Sequence, residues 1–385
     1  MFIKILQITA AYKPAYIYGG PTMSVAKLCE VLTENEVEVE VLTTTANGKT
    51  ELNVITNKTQ KVDGVNVTYF KRLTKDHTHF SPNLLKNLRS IIVQNKKDKK
   101  LVIHIHAWWN LISIFSCQIA KWYNIPVILS PRGMLTNYTL GNRNTNFKSI
   151  IHFVIGKKLL TYCHIHATSE KEKQDVLQFI KPKSIIVIPN LVKLSKDDEF
   201  IPHLELENSF KLIFLSRIEE KKGLGLLFEA LVDLTFNWTL TIAGSGEEEY
   251  VKSLKLKAKG LKLDKRINWI GQVTNSNKFK LIADHHLMIL TSYNENFANV
   301  VVESLSVGTP VLLSNQVGLA DYIDKNDFGW ITDLTSKNIH ENMENAFMDR
   351  EKRVKIRKMA PKTVKRDFSS EKLIHQYISF YQQVN

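Results

Sequence analysis

The sequence predicts an α/β protein of two doubly wound domains, each a mainly parallel sheet with helices on its faces. Three observations carry that expectation. Short runs rich in Val and Ile alternate with helical patterns along the chain, as expected of strands buried on both faces and joined by crossover helices. At 385 residues the chain is longer than a single core usually fills. A polar, acidic stretch at 193–209, with Pro202 inside it, interrupts the alternation and separates two series of strands.

The first series reads FIKILQI (2–8), EVEVLTT (38–44), VNVTYF (65–70), LVIHIHA (101–107), PVILS (126–130), IHATS (165–169) and SIIVIP (184–189). Among the helices between them are MSVAKLCEVLTEN (23–35), LLKNLRSIIVQN (84–95) and ISIFSCQIAKWY (112–123), each with apolar residues at helical spacing. The second series reads KLIFLSRI (211–218), TLTIAG (239–244), INWIGQV (267–273), HLMILTS (286–292), PVLLSN (310–315) and GWITD (329–333). A last helix is expected over 369–384, where Leu373, Ile374, Tyr377, Ile378 and Tyr381 share a face. The expected domains are therefore 1–192 and 210–366, with 193–209 as linker and 367–385 as a terminal helical segment. In doubly wound sheets, ligands lie beyond the carboxyl ends of the strands, so the segments just after strands are where chemistry is sought.

Composition narrows the function classes. A hydrophobic fraction of 44% with 23% charged residues is that of a globular domain and excludes a disordered chain. No run of about twenty apolar residues is free of charge, and the N-terminus reads directly as a strand, so neither a spanning helix nor a signal peptide is expected. Cys29, Cys117 and Cys163 are widely spaced and odd in number, which fits small core residues in a reducing cytoplasm. The basic excess is uneven: residues 1–190 hold 25 Lys and Arg against 12 Asp and Glu, a net +13, whereas the remainder holds 27 against 26. Such a half suits an anionic partner, and the aromatics are not interleaved with its basic runs as a nucleic-acid platform requires. The reading is then a peripheral contact with the anionic inner face of a membrane rather than with nucleic acid.

The densest chemical signal lies in SYNENFANVVVESLSVGTP (292–310). Asn294–Asn296 is turn chemistry, a helix is expected from Phe297 to Ser306, and Gly308-Thr309-Pro310 ends it. The amides of Phe297, Ala298, Asn299 and Val300 would face a ligand at the positive end of the helix, a seat for phosphate oxygens. Glu303, two turns in, can accept hydrogen bonds from a ribose diol, and Glu295 sits before the helix where a sugar hydroxyl would lie. In FLSRIEEKKGLGLLFEAL (214–231), Arg217 follows a strand, and Lys222 precedes Gly223 and a helix; two cations there would compensate a departing diphosphate. Gly19-Gly20 lies between the first strand and the first helix, where glycine lets the backbone approach a ligand. His104 and His106 alternate with isoleucines and point the same way from a strand; His106 is expected at a polar strand end and His104 in a packing role. No third ligand accompanies them and no D-x-D pair is present, so no metal is expected. Trp108 and Trp109 fit either sugar stacking or helix-start packing.

The segment ENFANVVVES (295–304) resembles the E-x7-E signature of the retaining glycosyltransferases of the GT4 family, and Arg217, Lys222 and Gly223 match that family's R-x4-K-G pattern. The resemblance implies the GT-B fold: two Rossmann-like domains facing across a cleft, with the terminal helix crossing back to the first. It places Arg217 and Lys222 on the donor pyrophosphate, Gly19 and Gly20 in the loop beside it, and Gly271 and Gln272 against the nucleobase. Gly244-Ser245-Gly246 resembles an architectural turn, and Ser169-Glu170 a segment that here reads as a helix cap. Where many members carry a histidine, this chain has Arg132 in LSPRGML (129–135), a form similar to a bacterial surface-polysaccharide branch; that arginine suits a donor phosphate or an acidic acceptor. The resemblance thus implies catalytic roles for Arg217, Lys222, Glu295, His106 and Arg132, and no cofactor beyond a nucleoside-diphosphate sugar, UDP preferred over GDP. The acceptor implied is a saccharide or a polyprenyl-diphosphate-linked saccharide of bacterial O-antigen, capsule or exopolysaccharide synthesis. The rival readings are a nucleoside-diphosphate-sugar epimerase or a phosphorylase on the same fold, and a non-enzymatic basic protein that binds membrane or nucleic acid.

Overall fold

The computed structural model describes residues 3–95, 101–136, 138–139, 156–195, 209–273 and 275–385; most of the expected linker, 196–208, lies outside the described residues. The chain divides into two compact units, one of Met1–Leu191 with Ser370–Asn385, the other of Val192–Ser369.

The first unit contains β1 (Lys4–Ile8), α1 (Gly20–Glu34), β2 (Glu38–Thr44), the two-residue strands β3 (Ala46–Asn47) and β4 (Thr50–Glu51), β5 (Thr59–Val62) and β6 (Val65–Phe70). It continues with α2 (Pro82–Asn95), β7 (Leu101–His106), α3 (Leu111–Trp122), β8 (Val127–Ser130), α4 (Lys157–Leu160), β9 (His164–Ala167), α5 (Glu170–Phe179) and β10 (Ser184–Val187). Its eight-stranded sheet runs β10-β9-β8-β7-β1-β2-β6-β5, parallel except for the β5 edge. The sequence reading missed β5. Its residues TQKV are exposed or half-buried, so no apolar pattern marks them; the signal available was Asp63-Gly64, both at positive φ (47° and 83°), which turns β5 into β6.

The second unit contains β11 (Phe210–Leu215), α6 (Leu224–Leu231), β12 (Trp238–Ala243), α7 (Glu248–Gly260), β13 (Ile267–Gly271), α8 (Asn275–Ala283) and β14 (Leu287–Leu290). It ends with α9 (Asn299–Ser306), β15 (Val311–Ser314), α10 (Ala320–Asn326), β16 (Gly329–Thr332), α11 (Ser336–Met348) and α12 (Arg350–Asp367). The sheet is wholly parallel, in the order β13-β12-β11-β14-β15-β16. Chain order reverses between β11 and β14, so the loops after these two strands open side by side at the carboxyl edge, where such sheets hold ligands.

The terminal helix α13 (Ser370–Val384) belongs to the first unit. Alternate residues of β1 explain where it lies: Leu6 and Ile8 enter the core that also holds Leu84, Leu88 and Ile112, while Ile3 and Ile5 enter the core shared by α1 and by Leu373, Ile374 and Phe380. At the carboxyl ends of β1, β7, β8 and β9 that second side turns polar. The Tyr381 hydroxyl donates to His104 Nδ1 at 2.7 Å and accepts from Gln7 Nε2 at 3.2 Å. His104 Nε2 donates to Ser130 Oγ at 2.7 Å, Ser130 donates to His166 Nδ1 at 2.6 Å, and His166 Nε2 donates to the Ile188 carbonyl at 2.8 Å. His106 Nε2 donates to Gln7 Oε1 at 2.6 Å. Every donor in this chain meets an acceptor only if all three imidazoles are neutral, and burial, aided by their mutual proximity and by Arg132, pushes His104 and His106 well below the ordinary histidine range and His166 to about 3.

Replacing Tyr381 by Phe leaves His104 Nδ1 and the Gln7 amide without their partner in a dry interior. The expected loss is about 1–3 kcal/mol of unfolding free energy, measured by chemical denaturation, with the far-ultraviolet spectrum unchanged.

Candidate active site

In the second unit the segment after β11 is shaped by three glycines. A Cβ on Gly244 would stand 1.9 Å from the Ser216 carbonyl oxygen, one on Gly246 would stand 2.1 Å from that of Ile218, and one on Gly223 would stand 2.1 Å from that of Thr291. Gly223 also sits at φ 70°, a conformation that disfavours side chains. The 3₁₀ turn Glu220–Lys222 is therefore pressed against the end of β14, and backbone bonds fasten it there: Tyr293 N–H donates to the Lys221 carbonyl at 2.8 Å, and Thr291 Oγ1 donates to that of Gly223 at 3.2 Å.

This contact brings two of the sequence-predicted residues together. Lys222 Nζ forms an ion pair with Glu295 Oε2, and the two side chains are only 7% and 18% exposed. The Glu295 backbone is itself held from the other side, its N–H donating to the Gln316 carbonyl at 3.2 Å and its carbonyl accepting from Gly318 N–H at 2.7 Å. Burial raises the Glu295 pKa, but Lys222, Lys221 and Arg217 outweigh it and hold the carboxyl below the ordinary glutamate range. Arg217 Nη1 pairs with Glu219 at 2.6 Å, and Lys221 lies 3.6 Å from the same carboxylate. Three cations thus gather around two carboxylates, and a third anionic group would meet a net positive field.

Glu303 lies on α9, largely buried, with Lys278 of α8 holding its Oε1 at 2.5 Å. Sequence reasoning missed Lys278, because its helix carries no motif and the two residues meet only through the packing of α8 on α9. The helix itself starts two residues later than expected. Phe297 is buried, edge-on to Phe368 at 6.0 Å between ring centroids, and Ala298 takes φ 69° to turn the chain into α9, which no side chain caps. A non-glycine residue in that conformation is strained and marks a position fixed by its surroundings. Gly271 closes β13 at φ 69°, and its carbonyl accepts from Gly244 N–H at 2.7 Å. With Gln272 it stands two strands away from β11, about 10 Å at ordinary strand spacing, so it is not in the Lys222–Glu295 group.

In the first unit Gly19, at φ 62°, begins α1, and Gly20 is its first residue. His106 is buried, between Gln7 and Arg132, whose Nη2 donates to its Nδ1 at 3.3 Å. Of the two tryptophans, Trp108 is fully buried and cannot stack on a sugar, and Trp109 donates its indole N–H to the Met134 carbonyl at 2.6 Å. Ser169 caps α5 by accepting from Glu172 N–H, as Ser169-Glu170 suggested.

Residues 18–196 match the family described as Glycosyltransferase Family 4, and residues 195–363 match Glycosyl transferases group 1, so that the two together tile nearly the whole chain. The chain belongs to glycosyltransferase family 4. An uncharacterised glycosyltransferase of Methanocaldococcus jannaschii is 24% identical to this family 4 glycosyltransferase over 98% of both chains. The N-acetylgalactosamine-N,N'-diacetylbacillosaminyl-diphospho-undecaprenol 4-alpha-N-acetylgalactosaminyltransferase of Campylobacter jejuni is 22% identical over 61% of this chain and 64% of its own. Among solved structures, Anabaena HepE in complex with UDP and glucose superposes with a TM-score of 0.75 at 18% identity, over 99% of this chain and 100% of that one. The fold is therefore GT-B, with parallel-sheet Rossmann-like domains.

Because the folded-state pKa of Glu295 is depressed, its pairing stabilises the protein above the unfolded glutamate value, near pH 4.3, and that stability is lost as pH falls through the folded value. Glu295→Gln should be less stable than wild type by about 1–3 kcal/mol at neutral pH, since Lys222 is left unpaired. The two melting curves should converge as the pH is lowered past the glutamate range, which thermal denaturation at stepped pH reads directly.

Proposed function

We propose that this family 4 glycosyltransferase is a retaining, metal-independent enzyme that moves a sugar from a nucleoside-diphosphate sugar to a saccharide or polyprenyl-diphosphate-linked saccharide in bacterial surface-polysaccharide synthesis. The observation that carries the reading is the convergence of Lys222, Lys221 and Arg217 on the Glu295 loop at the point where the second sheet reverses its order.

In this reading Glu303, anchored by Lys278, accepts hydrogen bonds from the ribose hydroxyls, and the nucleobase lies along Gly271-Gln272 at the end of β13. The diphosphate lies over the first turn of α9. As the glycosidic bond to the donor phosphate breaks, Arg217 and Lys222 neutralise the charge that develops on the leaving oxygen. Glu295, freed from part of its contact with Lys222, orients the sugar by its hydroxyls. The departing phosphate takes the proton of the incoming hydroxyl on the same face, so the anomeric configuration is kept. The charge compensation that a metal would supply comes from side chains.

UDP is the preferred nucleotide, and the similarity to a structure solved with UDP and glucose supports it. The relative that acts on an undecaprenol-linked substrate supports a lipid-linked acceptor, as does the basic excess of the first half of the chain. No helix of the described residues is long and apolar enough to cross a membrane.

The reading is tested by thermal-shift titration of wild type and Glu303→Ala with UDP, GDP, ADP and CDP in the presence of EDTA. One nucleotide, expected to be UDP, should raise the wild-type midpoint, and Glu303→Ala should lose most of that rise. No shift with any nucleotide would contradict the donor site, and a shift that appears only when Mg²⁺ replaces EDTA would contradict metal independence.

A further inference from the structure

From Lys99 to Ser169 the chain contains no aspartate or glutamate, although acidic residues make up 38 of its 385. Three helices on one side of the first sheet carry this bias into space. Together α2, α3 and α4 hold Lys86, Arg89, Lys121, Lys157 and Lys158 and no carboxylate. α3 stands in the middle: it packs on β1, β7 and β8, while α2 packs on β2 and β6 and α4 leads into β9, and α3 touches both neighbouring helices. Polar contacts tie the three. Arg89 Nε on α2 donates to the Tyr123 hydroxyl just past α3 at 2.9 Å, and Lys121 Nζ on α3 donates to the Lys158 carbonyl on α4 at 3.2 Å.

α3 is apolar on two faces, and the core uses only one. Ile112, Cys117 and Ala120 point inward and are fully buried. Phe115, Ile119 and Trp122, spaced i, i+4, i+7, form a second, outward stripe. Phe115 is 40% exposed and Trp122 is 70% exposed, with Ile119 half-buried between them. The Phe115 ring leans on Phe80, their centroids 5.9 Å apart, and Val93 of α2 adds another exposed apolar side chain. Exposed cations flank the stripe, Lys86 and Arg89 on α2 and Lys157 and Lys158 on α4. None of the five cations forms an ion pair among the described residues. Charge alone does not single out this face, since α12 carries nine Lys and Arg. There, however, Arg353 donates to the Ala346 and Phe347 carbonyls, Lys352 and Lys355 pair with Asp327, Arg366 pairs with Asp367, and no aromatic residue accompanies them.

We infer that the outer face of α2, α3 and α4 docks on an anionic lipid bilayer, with Phe115 and Trp122 entering the headgroup boundary and the flanking cations on lipid phosphates. Aromatic and aliphatic side chains set between lysines and arginines, with no acid among them, suit that boundary: the rings meet the acyl margin and the ammonium groups stay in the polar layer. Each such cation adds to the attraction of an anionic leaflet. A second copy of the chain is a poor occupant, because a two-fold contact would bring the same unpaired cations together. Nucleic acid is a poor one too, because Ile119 and Val93 offer no plane for a base to stack on. The surface follows from these three helices alone, and only the statement that the bilayer carries the acceptor rests on the transferase reading.

The test is co-sedimentation of the full chain with phosphatidylcholine vesicles and with mixed phosphatidylcholine and phosphatidylglycerol vesicles, at low and raised salt. Wild type should bind the mixed vesicles, bind the neutral ones far less, and release as salt rises. Lys86→Gln combined with Lys157→Gln and Lys158→Gln should weaken binding about hundredfold. Lys358→Gln combined with Lys362→Gln, on α12, should bind as wild type does. All five side chains are exposed, so both variants should keep the wild-type melting temperature and nucleoside-diphosphate affinity. Tryptophan emission supplies a second readout: it should shift to the blue on mixed vesicles, and Trp122→Phe should still bind but lose most of the shift. Equal binding to neutral and mixed vesicles, or none to either, overturns the inference. So does a loss in the α12 variant as large as in the first-unit variant, or a full blue shift in Trp122→Phe. Two further results would reassign the face: a dimer that Trp122→Gln turns into a monomer, or tighter binding to a single-stranded oligonucleotide than to mixed vesicles. Vesicle binding without nucleotide binding would remove the donor reading and leave the docking surface standing, so the two fail separately.

Discussion

The second unit is organised around the close approach of the loop after β11 to the loop after β14. Gly223 permits it, because any side chain there would strike the Thr291 carbonyl, and the Lys222–Glu295 ion pair uses it. The two strands are neighbours in the sheet but far apart in the chain, since β12 and β13 lie outward from β11 and the chain returns to place β14 on its other side. A buried ion pair is weak support for a fold, because the desolvation of both charges offsets most of their attraction. Its value is positional: it holds a cation and a carboxylate together at the carboxyl edge of the sheet.

The first unit solves a different problem at the corresponding edge of its own sheet. There the strands end in Gln7, His104, His106, Ser130 and His166 rather than in apolar residues, and α13 covers them with Tyr377 and Tyr381. A polar network in a dry interior is tolerable only when each member is satisfied, and the directions of the bonds along this one are mutually consistent. The exception is Arg132, whose Nη atoms bond to Asn190, Ser24 and His106 while its Nε has no partner.

Much of the fold was legible because parallel strands buried on both faces read as unbroken apolar runs. β2 has the same bounds in sequence and structure, and β15 and β16 lie within one residue of expectation. The E-x7-E and R-x4-K-G segments were legible because glycine, proline and the carboxylates sit at fixed offsets from a strand end. What escaped were features decided by three-dimensional neighbours. β5 carries no apolar alternation because its side chains are exposed or half-buried at an edge. The start of α9 moved from Phe297 to Asn299 because the Phe297 ring is drawn into the core. Lys278 and Asn190 belong to no motif, and only packing brings them to Glu303 and Arg132. Trp108 could be read as a stacking platform until the structure showed it buried.

In the proposed reaction Lys222 and Glu295 hold each other in the free protein and part to serve the diphosphate and the sugar respectively. The most direct measurement is the equilibrium affinity of wild type, Lys222→Gln and Glu295→Gln for the nucleoside diphosphate and for its sugar conjugate. The account predicts that Lys222→Gln weakens both ligands, whereas Glu295→Gln binds the nucleoside diphosphate at least as tightly as wild type and loses affinity only for the sugar conjugate. If Glu295→Gln weakens the nucleoside diphosphate as much as Lys222→Gln does, Glu295 serves only to position the lysine, and the division of labour between them is wrong.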